Sequence, residues 1–309
     1  MRKIFRIASF ALMLAVSVAC NNDDVPQEPM GTYPILFRCM DETRATATVE
    51  SMQNDDNGFD VYAFFTNNAI NASQSFNKNV KYTNGSWTYQ HNNQGLEYWI
   101  PGAKYYFKAV YPTTIDYAVD NSTTTQPLTI TEYNITSQDD ILVAEAGPLT
   151  VDPVVGAPGS GSVVSLQFKH LLANVSVMVK SEISNVKVKT IAFANIANKG
   201  NLNGNDWSSN EETTLTKSME VSLDKDADFE DVTDGGFLVI PQGIDGSKQK
   251  LYIETSHKTY NDITIPKITW ESGKRYAYTL IIKQENIVFN EPTVEEWDEE
   301  NATGSVIIK

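Results

Sequence analysis

The chain has 309 residues, enough for one large or two ordinary domains with a sizeable core. With 24 Lys and Arg against 39 Asp and Glu, its formal charge is −15. That balance excludes the clustered cations of a nucleic-acid binder or a polybasic membrane-surface protein. Aromatics at 10% argue against global disorder, and three His with two Cys leave little material for a zinc site.

The first element is a targeting segment. Arg2, Lys3 and Arg6 precede an apolar run from Ile7 to Val18, which is too short for a comfortable membrane span. Ser17-Val18-Ala19-Cys20 then places small residues before a cysteine. Residues 1–19 read as a signal peptide and Cys20 as a lipidation site, whose thiol takes a diacylglycerol and becomes residue one after cleavage. Ser17 departs from the Leu usual in bacterial lipoboxes, and an ordinary signal cut near Ala19 is the plainer alternative. Residues 20–32 are polar, acidic and proline-bearing, the composition of a flexible tether. With Cys20 acylated, no second cysteine remains to bridge Cys39, so no internal disulfide is expected.

Beyond the tether the pattern is that of β-sheet. Phe59, Val61, Ala63 and Phe65 share one face of a period-two run, as do Val175, Val177 and Val179, and then Tyr276, Tyr278, Leu280 and Ile282. Asn84-Gly85 between two such runs predicts a hairpin, because both residues tolerate positive φ. Pro101-Gly102 predicts a type II turn. The alternation breaks between Val186-Val188 and Ile191-Phe193, where a bulge is expected. A short helical turn is allowed near residues 46–52. Residues 148–162 carry three prolines and end in a Gly/Ser-rich stretch. They predict a boundary between an N-terminal β-sandwich at 33–160 and a C-terminal one at 161–309.

Motifs for chemistry are absent. There is no nucleophile elbow, phosphate loop, zincin motif or Cys-x-x-Cys pair. No catalytic residue, metal or cofactor is expected, and the chain reads as a non-enzyme. Cys39 in a strand-like run reads as a small core residue, and His170 in an apolar run as a buried structural histidine. Asp224, Asp226 and Asp228 alternate as calcium ligands do. The loop fails the EF-hand pattern, because Phe229 stands where Gly is required. The acidic pair Glu295-Glu296 reads as a solvated run rather than a glycosidase pair.

Several segments, in order, resemble the fimbrillin family, the lipoprotein pilins of Bacteroides-type bacteria. Tyr33-Pro34-Ile35-Leu36-Phe37 with Thr43-Arg44-Ala45 resembles that family's first strand and the element after it. Phe59-Asp60-Val61-Tyr62-Ala63 resembles its next strand. Residues 105–112, reading Tyr-Tyr-Phe-Lys-Ala-Val-Tyr-Pro, resemble a further one. Phe168-Lys169-His170-Leu171-Leu172-Ala173 resembles the strand that opens its C-terminal domain. Residues 270–278, with Glu296-Trp297, resemble its closing strands. The acidic residues after Cys20 also resemble the surface-export signal of such lipoproteins.

The resemblance implies an all-β fold of two transthyretin-like β-sandwich domains in tandem. It implies a precursor held at the outer membrane by its lipid, cut in the loop after the first strand, and assembled into a fimbrium with other pilin subunits by donor-strand exchange. On this chain the displaced strand would carry Ile35, Leu36, Phe37 and Cys39. The cut would follow Arg44, or alternatively Arg38, which lies within the strand-like run itself. The donor would be Val306, Ile307 and Ile308, which can equally complete their own domain. Host or bacterial surface ligands are further partners of such a filament. Two alternatives stay open, a pilus anchor that keeps its lipid and a surface glycan binder. The second would use Trp87, Trp99 and Trp207, which lie beside turns.

Overall fold

The computed structural model describes residues 33–40, 49–67, 72–89, 95–150 and 163–297. In chain order the strands begin with β1 (Leu36–Cys39), β2 (Phe59–Asn67), β3 (Ala72–Thr83), β4 (Ser86–Thr88), β5 (Ala103–Tyr111), β6 (Tyr117–Val119) and β7 (Leu128–Asn134). Then come β8 (Leu142–Thr150), β9 (Val163–Leu166), β10 (Phe168–His170), β11 (Ala173–Ser181), β12 (Val186–Asn203), β13 (Asp206–Leu223) and β14 (Glu230–Asp231). The last are β15 (Phe237–Val239), β16 (Gln242–Ile244), β17 (Lys250–Thr255), β18 (Thr259–Thr264), β19 (Ile268–Trp270), β20 (Lys274–Ile282), β21 (Ile287–Phe289) and β22 (Thr293–Glu296). One short helix, α1 (Val49–Gln53), precedes β2 within the span where a helical turn is allowed.

These strands form an all-β fold of sandwich type. The first sheet runs β10-β8-β5-β2-β3-β4 and is antiparallel throughout. Its inner face carries the period-two set Phe59, Val61, Ala63 and Phe65, all buried, facing Tyr105, Phe107 and Ala109 of β5. Asn84 and Gly85 form the β3–β4 turn with φ of 52° and 82°, as the hairpin reading requires. Gly58 leads into β2 at φ +63°, where a Cβ would stand 2.1 Å from the Val80 carbonyl oxygen, so only glycine fits.

Two further sheets enclose the larger core. One runs β14-β11-β20-β21, with β15 on β11 and β22 on β20. The other runs β18-β17-β12-β7-β6, with β13 on β12. Val175, Val177 and Val179 stand beside Tyr276, Tyr278 and Leu280 on the same sheet face in this core, with Trp270 and Phe193 packed edge to face 5.8 Å apart. The register of β12 shifts between Val188 and Thr190, at the expected bulge. β11 and β20 pair in parallel, Val175 opposite Tyr276, although residues 182–273 separate them in sequence.

The two hydrophobic clusters do not part at residue 160. The chain first touches the larger cluster at Val110 of β5, joins it from Ile115, returns to the smaller at Leu142, and leaves that one after Phe168. Residues 115–141 therefore belong with the C-terminal strands, because Leu128 and Ile130 face β12 across the Leu202 pairing. Val164, Leu166 and Phe168 belong with the N-terminal ones, since β9 pairs β1 and β10 pairs β8. The segment 168–173 is thus not one strand opening a second half. β10 closes the first sheet, and β11 starts a different one.

Candidate functional site

The site of interest is β1 and the groove that holds it. β1 pairs in parallel with β9, Leu36 opposite Val163 and Cys39 opposite Leu166. On its other side, the Ile35 amide donates to the Glu97 carbonyl at 2.8 Å, and the Trp99 amide to the Tyr33 carbonyl at 3.0 Å. Pro34 bridges Tyr98 in antiparallel sense. Residues 33–39 therefore form a layer with two partners, 97–99 beside residues 33–35 and 163–166 beside β1. This layer covers the open face of the first sheet.

Alternation gives the strand two faces. Ile35 (0% exposed) and Phe37 (4%) point into the smaller core, while Leu36 (38%) and Met40 (39%) point out. Phe37 lies 5.8 Å from both Tyr89 and Phe107, tilted to the first and edge-on to the second. The Tyr89 hydroxyl donates to the Ile35 carbonyl at 2.8 Å and accepts from the Glu97 amide at 2.9 Å, tying β1 to its neighbour. Burial pushes the Tyr89 phenol up to about 12, with the hydrogen bond to the Glu97 backbone opposing the shift. Lys78 pairs with Glu97 at 2.9 Å and lies 5.9 Å from the Tyr89 ring centroid, closing the far side of the groove.

The residues singled out in the sequence fall as follows. Ile35, Leu36, Phe37 and Cys39 come together in β1 or at its start, with Cys39 half-buried. Arg38 is exposed, lies inside β1 and donates from Nε to the Ser165 hydroxyl at 2.8 Å. Cys20, Arg44, Val306, Ile307 and Ile308 lie outside the described residues. Trp99 is buried in the smaller core. Trp87 packs 5.1 Å from Phe59, and Trp207 donates to the Leu171 carbonyl at 3.0 Å, so these rings serve packing rather than an open platform. His170 is buried, with Nδ1 2.7 Å from Asp140 Oδ2. Asp224, Asp226 and Asp228 are exposed, and no cluster of metal-ligating side chains occurs among the described residues.

The groove residues Tyr89, Glu97, Ser165 and Leu166 were not legible as a site. The local signal that could have found a strand there is the alternation of Val164 and Leu166 after the Gly/Ser run. Nothing local shows that this strand lies beside one more than 120 residues earlier, since the Arg38–Ser165 separation is 127 residues.

The all-β fold around this groove is one shared with solved bacterial surface proteins. Residues 43–297 match the model of the fimbrillin-like family, and the chain belongs to that family. A fimbrial protein from Bacteroides vulgatus is similar in fold at 18% identity and a TM-score of 0.62, over 85% of this chain and 99% of that one. A protein from Bacteroides ovatus, assigned provisionally to cell adhesion, is similar at 15% identity and a TM-score of 0.56, over 87% of this chain and 99% of that one. The tip fimbrial protein Mfa3 of Porphyromonas gingivalis aligns at 10% identity and a TM-score of 0.42, over 80% of this chain and 96% of that one. No curated protein matches the sequence.

Proposed function

We propose that this chain is a structural or adhesive subunit of a surface fimbrium, exported as a lipoprotein acylated on Cys20. Cleavage after Arg44 releases β1 together with the lipid and tether, and a strand from a neighbouring subunit takes its place. The observation that carries this reading is the seating of residues 33–39, which pair with 97–99 through 33–35 and with β9 through β1. Their loss leaves unpaired backbone groups on both neighbours, over the pockets of Ile35 and Phe37. Such a groove offers a donor strand main-chain hydrogen bonds and apolar contacts together. The exposed Leu36, Met40 and Tyr98 lie on or beside the same strand. That apolar rim supports a region that meets another surface during assembly. A head-to-tail contact of this kind is heterologous and does not close, so it builds a fibre. Its role is structural, and its partners are other pilin subunits at the cell surface.

The test is intact mass before and after mild trypsin treatment, followed by a gel run without boiling. The reading expects an acylated chain trimmed to begin at Ala45 and, where trimming proceeds in a concentrated subunit solution, a ladder of oligomers. An Arg44→Gln variant is expected to resist trimming and stay monomeric. A wild-type chain that keeps its lipid and residues 33–44, and remains monomeric, overturns the polymerising role and supports an anchor.

A further inference from the structure

The groove under β1 has a second candidate occupant within the same chain. Gln167 alone separates β9 from β10. The groove edge at Leu166 is therefore no more than about 14 Å along the backbone from His170. His170 is also the seat of the point where the C-terminal arm begins. The indole of Trp297 lies flat on the His170 ring, with centroids 3.7 Å apart and planes 4° from parallel. The imidazole beneath it is held by Asp140, and the Arg275 guanidinium stands 5.8 Å from the indole centroid. Trp297 is 2% exposed, and its amide donates to the Gly273 carbonyl at 2.8 Å. β22 pairs β20 immediately before it. The root of the arm is thus fixed beside the end of the groove. Residues 298–309 follow it, and extended they span about 40 Å.

We propose that, once β1 has left, residues 305–308 of the same chain fill its groove, in competition with the strand of a neighbouring subunit. This rests on the strand-removal reading above. An arm rooted near Leu166 enters the groove from that end and runs antiparallel to β9, opposite in sense to β1. Antiparallel pairing is at least as favourable per residue as the parallel pairing it replaces. Val306 and Ile308 share one face, as Ile35 and Phe37 do, and Ile307 takes the outward position. A short tether gives an effective concentration in the mM range, on the order of a thousandfold above a µM subunit solution. A self-filled subunit neither accepts nor donates a strand. Growth therefore requires that the neighbour's strand arrive as β1 departs.

The experiment uses the full chain carrying Ser165→Cys and Ile307→Cys, trimmed after Arg44 and then oxidised. Cys20 and Cys39 precede Arg44, so the introduced pair is the only one left. Ser165 lies on the outward side of β9, where it meets Arg38. The expected product is a monomer with an internal disulfide, formed in the same yield after hundredfold dilution. Cross-links found only between chains and lost on dilution, or no cross-link at all, overturn the proposal. In a second measurement, a trimmed chain lacking residues 304–309 is expected to bind a synthetic peptide of residues 33–44 at least tenfold tighter than the trimmed chain with its arm. Equal binding overturns the proposal. A 20–44 fragment that stays on the cut chain defeats the strand-removal reading and this proposal together. Release of the fragment with cross-links only between chains defeats this proposal alone.

Discussion

Phe37 sits between Tyr89 and Phe107, and Tyr89 in turn holds the Ile35 carbonyl, so a few side chains account for most of the seat of β1. Phe37→Ala empties a buried aromatic pocket, and a change of that kind costs about 3–5 kcal/mol. Urea unfolding of the uncut chain should show this as a lower midpoint with an unchanged slope. The tyrosines make a pH prediction. Burial raises Tyr89, Tyr105 and Tyr111 from 10.0 to about 12, so the fold favours their neutral phenols. Their stabilising contribution is complete below pH 10 and is lost as pH rises through about 12. Thermal midpoints between pH 9 and 12 should therefore hold and then fall, and Tyr89→Phe should flatten part of the fall. Asp140→Ala strips the buried His170 ring of its carboxylate and is expected to cost about 1–3 kcal/mol, read by the same unfolding curves.

At the scale of elements, the uncut chain should hold β1 as firmly as its core strands. Amide exchange at Ile35, Trp99 and Met40 should be slow before trimming. In the trimmed chain without its arm, the Trp99 amide loses its Tyr33 acceptor and should exchange at least tenfold faster. Much of this element level could be read from the sequence. The period-two runs at 59–65, 175–179 and 276–282 became β2, β11 and β20, because each buries one face against a core. Asn84-Gly85 and the bulge near Val188 were legible because turn and bulge chemistry is local. The parallel pairs β1–β9 and β11–β20 were not, since partner choice depends on what lies across the core. Three-residue strands such as β6, β10 and β15 carry too little alternation to be recognised. The groove was half legible: the strand seated in it showed in Ile35 and Phe37, but its walls, Tyr89 and residues 97–99 and 163–166, are assembled from distant parts of the chain.

For the whole molecule, the composition break at 148–162 suggested a simple tandem, yet the clusters exchange segments on either side of it. Gly and Pro content marks where order is hard to hold, whereas cluster membership follows strand partners. In the assembly proposed above, an arm-deleted chain accepts a strand but cannot donate one. Mixed into intact subunits, it should end each filament at the point where it joins. At about one part in ten it should limit filaments to roughly ten subunits, measured as mean ladder length. An arm-deleted chain that leaves ladder length unchanged would show that the donor lies elsewhere.

The interleaving also has a mechanical consequence. A single linker between two cores would carry an entire tensile load through one span of backbone. Here the chain crosses between the clusters near residues 111–115, 141–142 and 168–171, and the crossings belong to hydrogen-bonded strands or their immediate ends. A pull that separates the clusters is shared among three stitches, and Trp207, held to the Leu171 carbonyl, braces one of them. Under shear such a seam gives way at the applied force of several strands breaking together, not at that of one tether straightening.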